Sequence, residues 1–208
     1  MSKWMLASMV GVVVSQAGEF RNLDLQQVNT GSSLQLLSPS KWIGAATNLI
    51  PSWTVSINGI ATNSVGFSDV GSVAAPGITV VRSLSGVGYT LLFVPNGTGP
   101  NGEFSSLVAI TQRGTIPMDT KWITFDNPIE SNGPVVSINS LEIGYAAGRE
   151  GLDVSKFAGQ TVDLSISSRF FIGISRVSFV SVPEPSAGGL LVFAGLAWGV
   201  LGWKPRKR

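Results

Sequence analysis

Histidine and cysteine are both absent from this 208-residue chain, and only 12% of its residues are charged. Without histidine there is no Ser-His-Asp triad, no imidazole general base and few routes to a zinc site. Without cysteine there are no thiol nucleophiles, thiolate metal sites or disulfides, and cysteine pairing says nothing about redox compartment. Stability must then come from a hydrophobic core, for which the roughly 165 residues between the two ends suffice. A basic stripe of the kind that phosphate binding needs is missing too. The pI near 9.2 is an effect of the ends. With Lys3, Lys204, Arg206, Lys207, Arg208 and the lone terminal acid Glu184 set aside, nine bases face eleven acids, a formal charge of −2. Nucleic acid is not an expected partner.

What the chain does carry is an apolar segment at each end. Lys3 makes a minimal positive start, Trp4 to Val14 is an eleven-residue apolar stretch, and Ser15-Gln16-Ala17 follows. Small residues at Ser15 and Ala17 stand where a signal peptidase reads them, so the pattern predicts a signal peptide over 1–17. The Sec translocon would export the chain, and cleavage would fall between Ala17 and Gly18. Eleven apolar residues are too few to span a bilayer.

At the other end, Ala187 to Trp203 is seventeen residues without a charge. A helix rising ~1.5 Å per residue would cover about 25 Å there, the lower edge of a membrane span. Its glycine content suits a membrane helix, and Trp203 suits the interfacial belt. Lys204, Arg206, Lys207 and Arg208 would hold the tail in the cytoplasm by the positive-inside rule. Both ends thus agree on an exported body. Just ahead of the span, Pro183 and Pro185 disfavour helix at Val182 and Glu184. Ser186 is placed to cap the helix. The result is an extended stretch with one carboxylate, a shape that a membrane-embedded peptidase can read.

Val182-Pro183-Glu184-Pro185-Ser186, the glycine-rich span and the basic terminus together resemble a PEP-CTERM sorting signal. The span is slightly short for one, and Pro205 interrupts the usual run of arginines. The resemblance implies a Gram-negative host that makes exopolysaccharide or biofilm matrix. It also implies recognition by an exosortase, a membrane protease or transpeptidase acting near Pro183-Glu184-Pro185. The protein would be anchored in the inner membrane before processing and reach the cell surface or extracellular matrix afterwards.

Between the ends, short β-branched runs alternate with turn signals such as Asn58-Gly59, Pro95-Asn96-Gly97 and Asn132-Gly133-Pro134. Strands are expected at Trp53–Ile57, Ile78–Val81, Tyr89–Val94, Leu107–Gln112 and Lys121–Phe125. Four more are expected at Val135–Ile138, Leu141–Tyr145, Thr161–Ile166 and Phe171–Phe179. One helical turn near Val154–Phe157 has Asp153 as its cap. Regularly spaced short strands argue for an all-β sandwich or barrel.

Three segments, "FRNLDLQQVNTG", "IPSWTVSING" and "LDVSKFAGQTVDLSIS" with "FIGISRVSFV", resemble a galactose-binding-like jelly roll. That resemblance implies a single jelly-roll β-sandwich with an Asn-rich first strand and Trp53 in a core strand. Asp153, Ser155, Phe157, Ala158, Gly159, Gln160, Thr161 and Val162 match its late turn. Leu25-Gln26 and Ser175-Arg176 stand where many such domains carry acids. Asp24 alone is a weak ligand set for the fold's structural calcium, and no cofactor is expected.

A carbohydrate-binding role would need an exposed aromatic with amides or carboxylates nearby. In "TKWITFD", Ile123 and Phe125 share one face of a strand while Trp122, Thr124 and Asp126 share the other. If the first pair faces the core, Trp122 stands out beside a hydroxyl and a carboxylate. Trp42, in the loop-like "SPSKWIGAATN", is the other candidate platform. Either tryptophan could equally be packing. A glycoside hydrolase needs two acids at a set separation. Asp119, Asp126, Glu130, Glu142, Glu150 and Asp153 supply acids, but no spacing singles out a pair.

The expected organisation is a signal peptide over 1–17, a sandwich over 18–181 and a sorting signal over 182–208. Within the last, the motif is 183–185, the transmembrane helix 187–203 and the basic tail 204–208. The expected role is that of a non-enzymatic surface or matrix protein associated with exopolysaccharide. A carbohydrate-binding module is the alternative, and a glycan-active hydrolase the third.

Overall fold

The computed structural model describes residues 18–31, 34–69, 73, 76–82, 88–96, 105–126, 133–145 and 151–181. The signal peptide expected over 1–17, with Ala17, and the sorting signal over 182–208 lie outside the described residues, as do Glu130 and Glu150.

In chain order the strands begin with β1 (Gln35–Ser38), β2 (Lys41–Ala45), β3 (Thr54–Ile57), β4 (Ile60–Thr62) and β5 (Ser64–Ser68). Next come β6 (Gly77–Arg82), β7 (Tyr89–Val94), β8 (Val108–Thr115), β9 (Thr120–Asp126) and β10 (Val135–Ile138). The last are β11 (Leu141–Tyr145), β12 (Leu152–Asp153), β13 (Thr161–Ser168), β14 (Ile172–Ile174) and β15 (Arg176–Ser181). Helix among the described residues is limited to α1 (Ala46–Leu49) and one 3-10 turn, Ser155–Phe157. Neither is long and apolar enough to cross a membrane.

The strands hydrogen-bond in three sets, ordered β1-β2-β5-β6-β7-β14, β11-β10-β13-β8-β3-β4 and β12-β9-β15. Within them β5 runs parallel to β6, and the other pairs are antiparallel. The first and third sets are linked by the chain itself. Ser175 alone separates β14, bonded to β7, from β15, bonded to β9. The result is an all-β sandwich.

Side-chain alternation explains which face goes in. On β13, Val162, Leu164 and Ile166 are fully buried, while Thr161 and Asp163 are exposed and Ser165 half-buried. Their aliphatic carbon meets Val55, Ile110, Phe93, Ile123 and Val177 in one core. Each fully buried side chain of this size contributes about 1.5–3 kcal/mol. β5 and β6 are buried on both faces. Both faces of these strands accordingly carry small or β-branched residues, Gly66 on β5 and Thr79 on β6 among them, and no charge before Arg82.

Several expected strands sit within a residue or so of the observed ones, and β7, β10 and β11 coincide with theirs. Others need correction. Trp42 is in β2, not in a loop. The stretch expected as one strand over Phe171–Phe179 is two, bent at Ser175, whose N–H donates to the Asp126 carbonyl at 3.0 Å. The Asn-rich segment expected as a first strand is a covering segment with a turn. Asn22 and Leu25 take φ of 51° and 55°, and its one strand-like pairing is a bridge from Glu19 to Thr115. Left-handed backbone is well tolerated by asparagine, whose side chain also bonds locally here. Its Oδ1 accepts from the Gln27 N–H at 2.9 Å.

That segment is tied to the sandwich by a buried amide. Gln112 is 7% exposed; its Oε1 accepts the Arg21 N–H at 2.8 Å. Its Nε2 donates to the carbonyls of Arg21 and Ser52 at 3.0 and 2.9 Å. Trp53, expected as packing, is 4% exposed, and its indole N–H donates to the Asn22 carbonyl at 3.3 Å. Gly114 lets Phe20 lie flat on β8, since a Cβ there would stand 2.7 Å from the Phe20 ring.

Gln112→Ala should therefore lower unfolding free energy by about 1–3 kcal/mol, because it removes three part-buried hydrogen bonds to the backbone of Arg21 and Ser52. Arg113→Ala, next door, removes an exposed ion pair to Asp163 at 3.1 Å and should cost under about 1 kcal/mol. Urea unfolding followed by circular dichroism compares the two, and equal shifts would refute the structural role of the amide.

Candidate functional site

Strand β9 presents the expected face. Ile123 and Phe125 are 0% and 4% exposed in the core, while Trp122 and Thr124 are half-buried on the opposite side. Pairing sets Trp122 opposite Val180 of β15 and Asp153 of β12. Trp122, Thr124, Val180 and Gly151 line a shallow groove of 430 Å³. The groove depends on Gly151. A Cβ at that position would lie 2.9 Å from the Trp122 Cβ, so any side chain there would displace the indole.

Lys121 is the cation nearest the indole, and Asp153 pairs with Trp122 across the strands. The Lys121 ammonium stands 5.0 Å from the Trp122 ring centroid, a cation–π contact worth about 0.5–1 kcal/mol at an exposed site. The Thr124 hydroxyl donates to the Ser178 carbonyl at 3.4 Å, a long bond that leaves it available to a competitor. Asp126 does not line the groove; its Oδ2 is 3.9 Å from Arg176 Nε in an exposed pair. Trp122 and Thr124 thus come together, and Asp126 stands apart.

Trp42 lies in a different sheet. It is half-buried, with its ring 5.8 Å from that of buried Phe67 and packed against the core. The two candidate platforms share no groove.

A second cleft, of 310 Å³, was not anticipated. Ser137, Glu142, Ser167, Arg169 and Phe170 are among its lining residues. Ser137 pairs with Glu142 just after a register shift at Val136, and Val135 pairs with Ser167. This puts a carboxylate, a guanidinium, hydroxyls and an aromatic ring at one place, near the small end of ligand pockets at about 300–1,000 Å³. Glu142 was an expected acid; the other four gave no signal, because strand pairing is what gathers them.

Among the described residues no three acids gather as a metal site. The Asp24 carboxylate instead accepts the Gln26 N–H at 3.3 Å. The acids from which no pair was singled out are divided between sheets, Asp126 on β9 and Asp153 on β12 in one, Glu142 on β11 in another.

Asp153 belongs to the late turn. Its Oδ1 accepts the Ser155 N–H at 2.9 Å as the chain enters the 3-10 turn. A hydrogen bond from the Ser155 hydroxyl, then this backbone bond, then the charges of Lys121 and Lys156 hold its carboxyl below the usual range.

No family model matches the chain, and neither does any curated protein or solved structure. Its functional reading therefore rests on its own residues.

A depressed carboxyl stabilises the turn above the ordinary carboxylate pKa, and that contribution is lost as pH falls through the lowered value. Ser155→Ala should move the Asp153 midpoint up toward the ordinary range in a carboxyl-carbon NMR titration. An unchanged midpoint would overturn the assignment to Ser155.

Proposed function

We propose that this chain is an exported, non-enzymatic surface or matrix protein, carried by the Sec translocon, cut by signal peptidase and processed by an exosortase. The observation that carries the reading is the three-part order of Val182-Pro183-Glu184-Pro185-Ser186, uncharged Ala187–Trp203 and basic Lys204–Arg208. The described body is compatible with it, since β15, its last described strand, runs to Ser181, immediately before the motif in sequence. The protein is anchored in the inner membrane of a Gram-negative cell first and reaches the cell surface or exopolysaccharide matrix afterwards.

We infer further that the body is a jelly roll. If β14 and β15 count as one bent strand, the strands from β7 to β15 fall into the orders β7-β14/β15-β9-β12 and β8-β13-β10-β11. Lettered B to I along the chain, these are B-I-D-G and C-H-E-F, the double Greek key of a jelly roll. β3 and β4 widen one sheet, and β6, β5, β2 and β1 widen the other.

A carbohydrate-binding role is the second reading, favoured by the Trp122 groove and by the Glu142–Arg169–Phe170 cleft. An aromatic face beside hydroxyls and a charge suits a pyranose ring. Affinity electrophoresis in host exopolysaccharide tests it: Arg169→Ala should abolish the retardation if the cleft holds the sugar and Trp122→Ala if the groove does, and absence of retardation in the wild type removes this reading.

Sorting is tested at the motif. Glu184→Gln keeps the extended shape and removes the carboxylate. Replacing Pro183 and Pro185 with alanine keeps the charge and lets helix extend upward, since alanine is the best helix former. Both variants should insert normally yet accumulate at full length in an exosortase-bearing host, while wild-type protein is shortened. Immunoblots of cell and medium fractions decide it; wild-type protein that is never shortened sinks the reading.

A further inference from the structure

The two ends of the sandwich leave it at the same place. The Gly18 carbonyl accepts the N–H of Thr115, the last residue of β8, at 3.2 Å. Ser181, the last residue of β15, is opposite Thr120, the first residue of β9. The link 116–119 joins those two strand ends. Two residues in from each end, Phe20 and Phe179 touch with ring centroids 5.3 Å apart.

The same end carries exposed apolar and aromatic surface. Met118, within the link, is 87% exposed, and Val180, opposite half-buried Trp122, is 40% exposed. Lys121 and Lys156 lie there with Glu19, Asp119 and Asp153, so the side chains carry no excess of positive charge. The opposite end has its own exposed residue: Ile60, 75% exposed, pairs with Ile57, which stands beside Val108 at the start of β8. The Glu142–Arg169–Phe170 cleft is also toward that far end, since Val135 and Ser167 pair there and Ser168 stands opposite Val108.

We propose that the Met118 end rests on the headgroup layer of the bilayer, with Met118, Trp122 and Val180 entering the interface and the cleft held outward. This rests on reading 187–203 as the membrane span. Five residues, 182–186, separate Ser181 from that span, about 20–22 Å from Ser181 to Ala187 if fully extended. Ser181 cannot rise farther than that from the bilayer before the chain is cut. So short a tether gives an effective concentration on the order of millimolar, and a contact too weak to hold a free protein then operates. Tryptophan and the stems of lysine are the side chains that partition to a lipid interface. With Glu19, Asp119 and Asp153 more than offsetting the two lysines, the contact depends on partition and not on lipid charge. The Trp122 groove is thereby assigned to lipid, and the cleft is the one left open to the matrix.

The absence of cysteine makes the test direct. Met118→Cys and Ile60→Cys each create a single thiol at an exposed position, which carries an environment-sensitive fluorophore. The tail-bearing protein, recovered from cell membranes, is placed in phosphatidylethanolamine–phosphatidylglycerol vesicles containing headgroup spin-labelled lipid, and flotation is scored first. Quenching several-fold stronger at position 118 than at position 60 is the expected result. Equal quenching, or stronger quenching at position 60, in protein that floats overturns the orientation alone. Protein that fails to float overturns the anchoring reading and the orientation with it. Equal quenching together with a blue shift at position 118 on adding exopolysaccharide gives the Trp122 groove to sugar.

Discussion

Gln112 occupies an inward position on β8, in the row that Val108 and Ile110 fill with aliphatic carbon. A primary amide in such a place is costly unless it is satisfied, and here it meets three backbone groups from two segments. That arrangement binds the opening residues of the body to the middle of a sheet without a disulfide, which this chain cannot form. The hydrogen bonds also fix direction. With Arg21 held at Gln112 and the Leu23 carbonyl accepting the Val177 N–H at 2.8 Å, Phe20 has one place to go, onto Gly114 and against Phe179. The first residues of the body thereby cover the inner side of its last strand.

One consequence is that the chain's ends are set by the core and not by the linkers. β15 must pair with β9 to complete the sheet that buries Ile123 and Val177, and this pairing carries the chain out beside Thr120. The opening segment, fixed by Gln112, arrives at Thr115 on the same rim. A body whose ends diverged could be tethered through one of them and tumble about it. Here the packing that makes the sandwich stable also decides which end looks toward whatever holds the chain.

How much of this was legible in the sequence follows from what each residue needs in order to reveal its place. β9 was readable because Ile123 and Phe125 alternate with Trp122, Thr124 and Asp126, a local pattern of period two. β10 and β11 were readable as two short runs of β-branched and aliphatic residues after Asn132-Gly133-Pro134; the structure adds that Asn139 and Ser140, both at positive φ, turn the chain between them. β5 and β6 are covered on both faces; β6 still showed as a β-branched run from Ile78 to Val81, while β5 offers only Val65 and Phe67 among Gly66 and two serines, too short a pattern to stand out. β2 was hidden by the turn formers around it, although Trp42 and Ile43 are ordinary strand residues. The groove was half legible. Trp122 and Thr124 announce a face, but Val180 joins them only through cross-strand register, fifty-eight residues along the chain.

Asp126 shows why a shared face does not make a shared site. It follows Thr124 by two residues and points to the same side, as period two requires. Yet β14 and β15 bend at Ser175, next to its cross-strand partner Arg176, and Ser175 sends both its N–H and its hydroxyl to the Asp126 carbonyl, at 3.0 and 3.2 Å. The bend ends the flat part of the sheet just before the carboxylate, which is left beside Arg176 in solvent. Trp122 sits toward the other end of the strand, where Gly151 gives it room and Lys121 lies near its ring. A tryptophan held between a small residue and a lysine, on the rim from which the chain departs, has the surroundings of an interfacial side chain. Without the carboxylate close by, the groove has lost the polar partner that a sugar platform on this strand was expected to use. The cleft on the other sheet keeps both a carboxylate and a guanidinium beside an aromatic ring, and polar recognition is better supplied there.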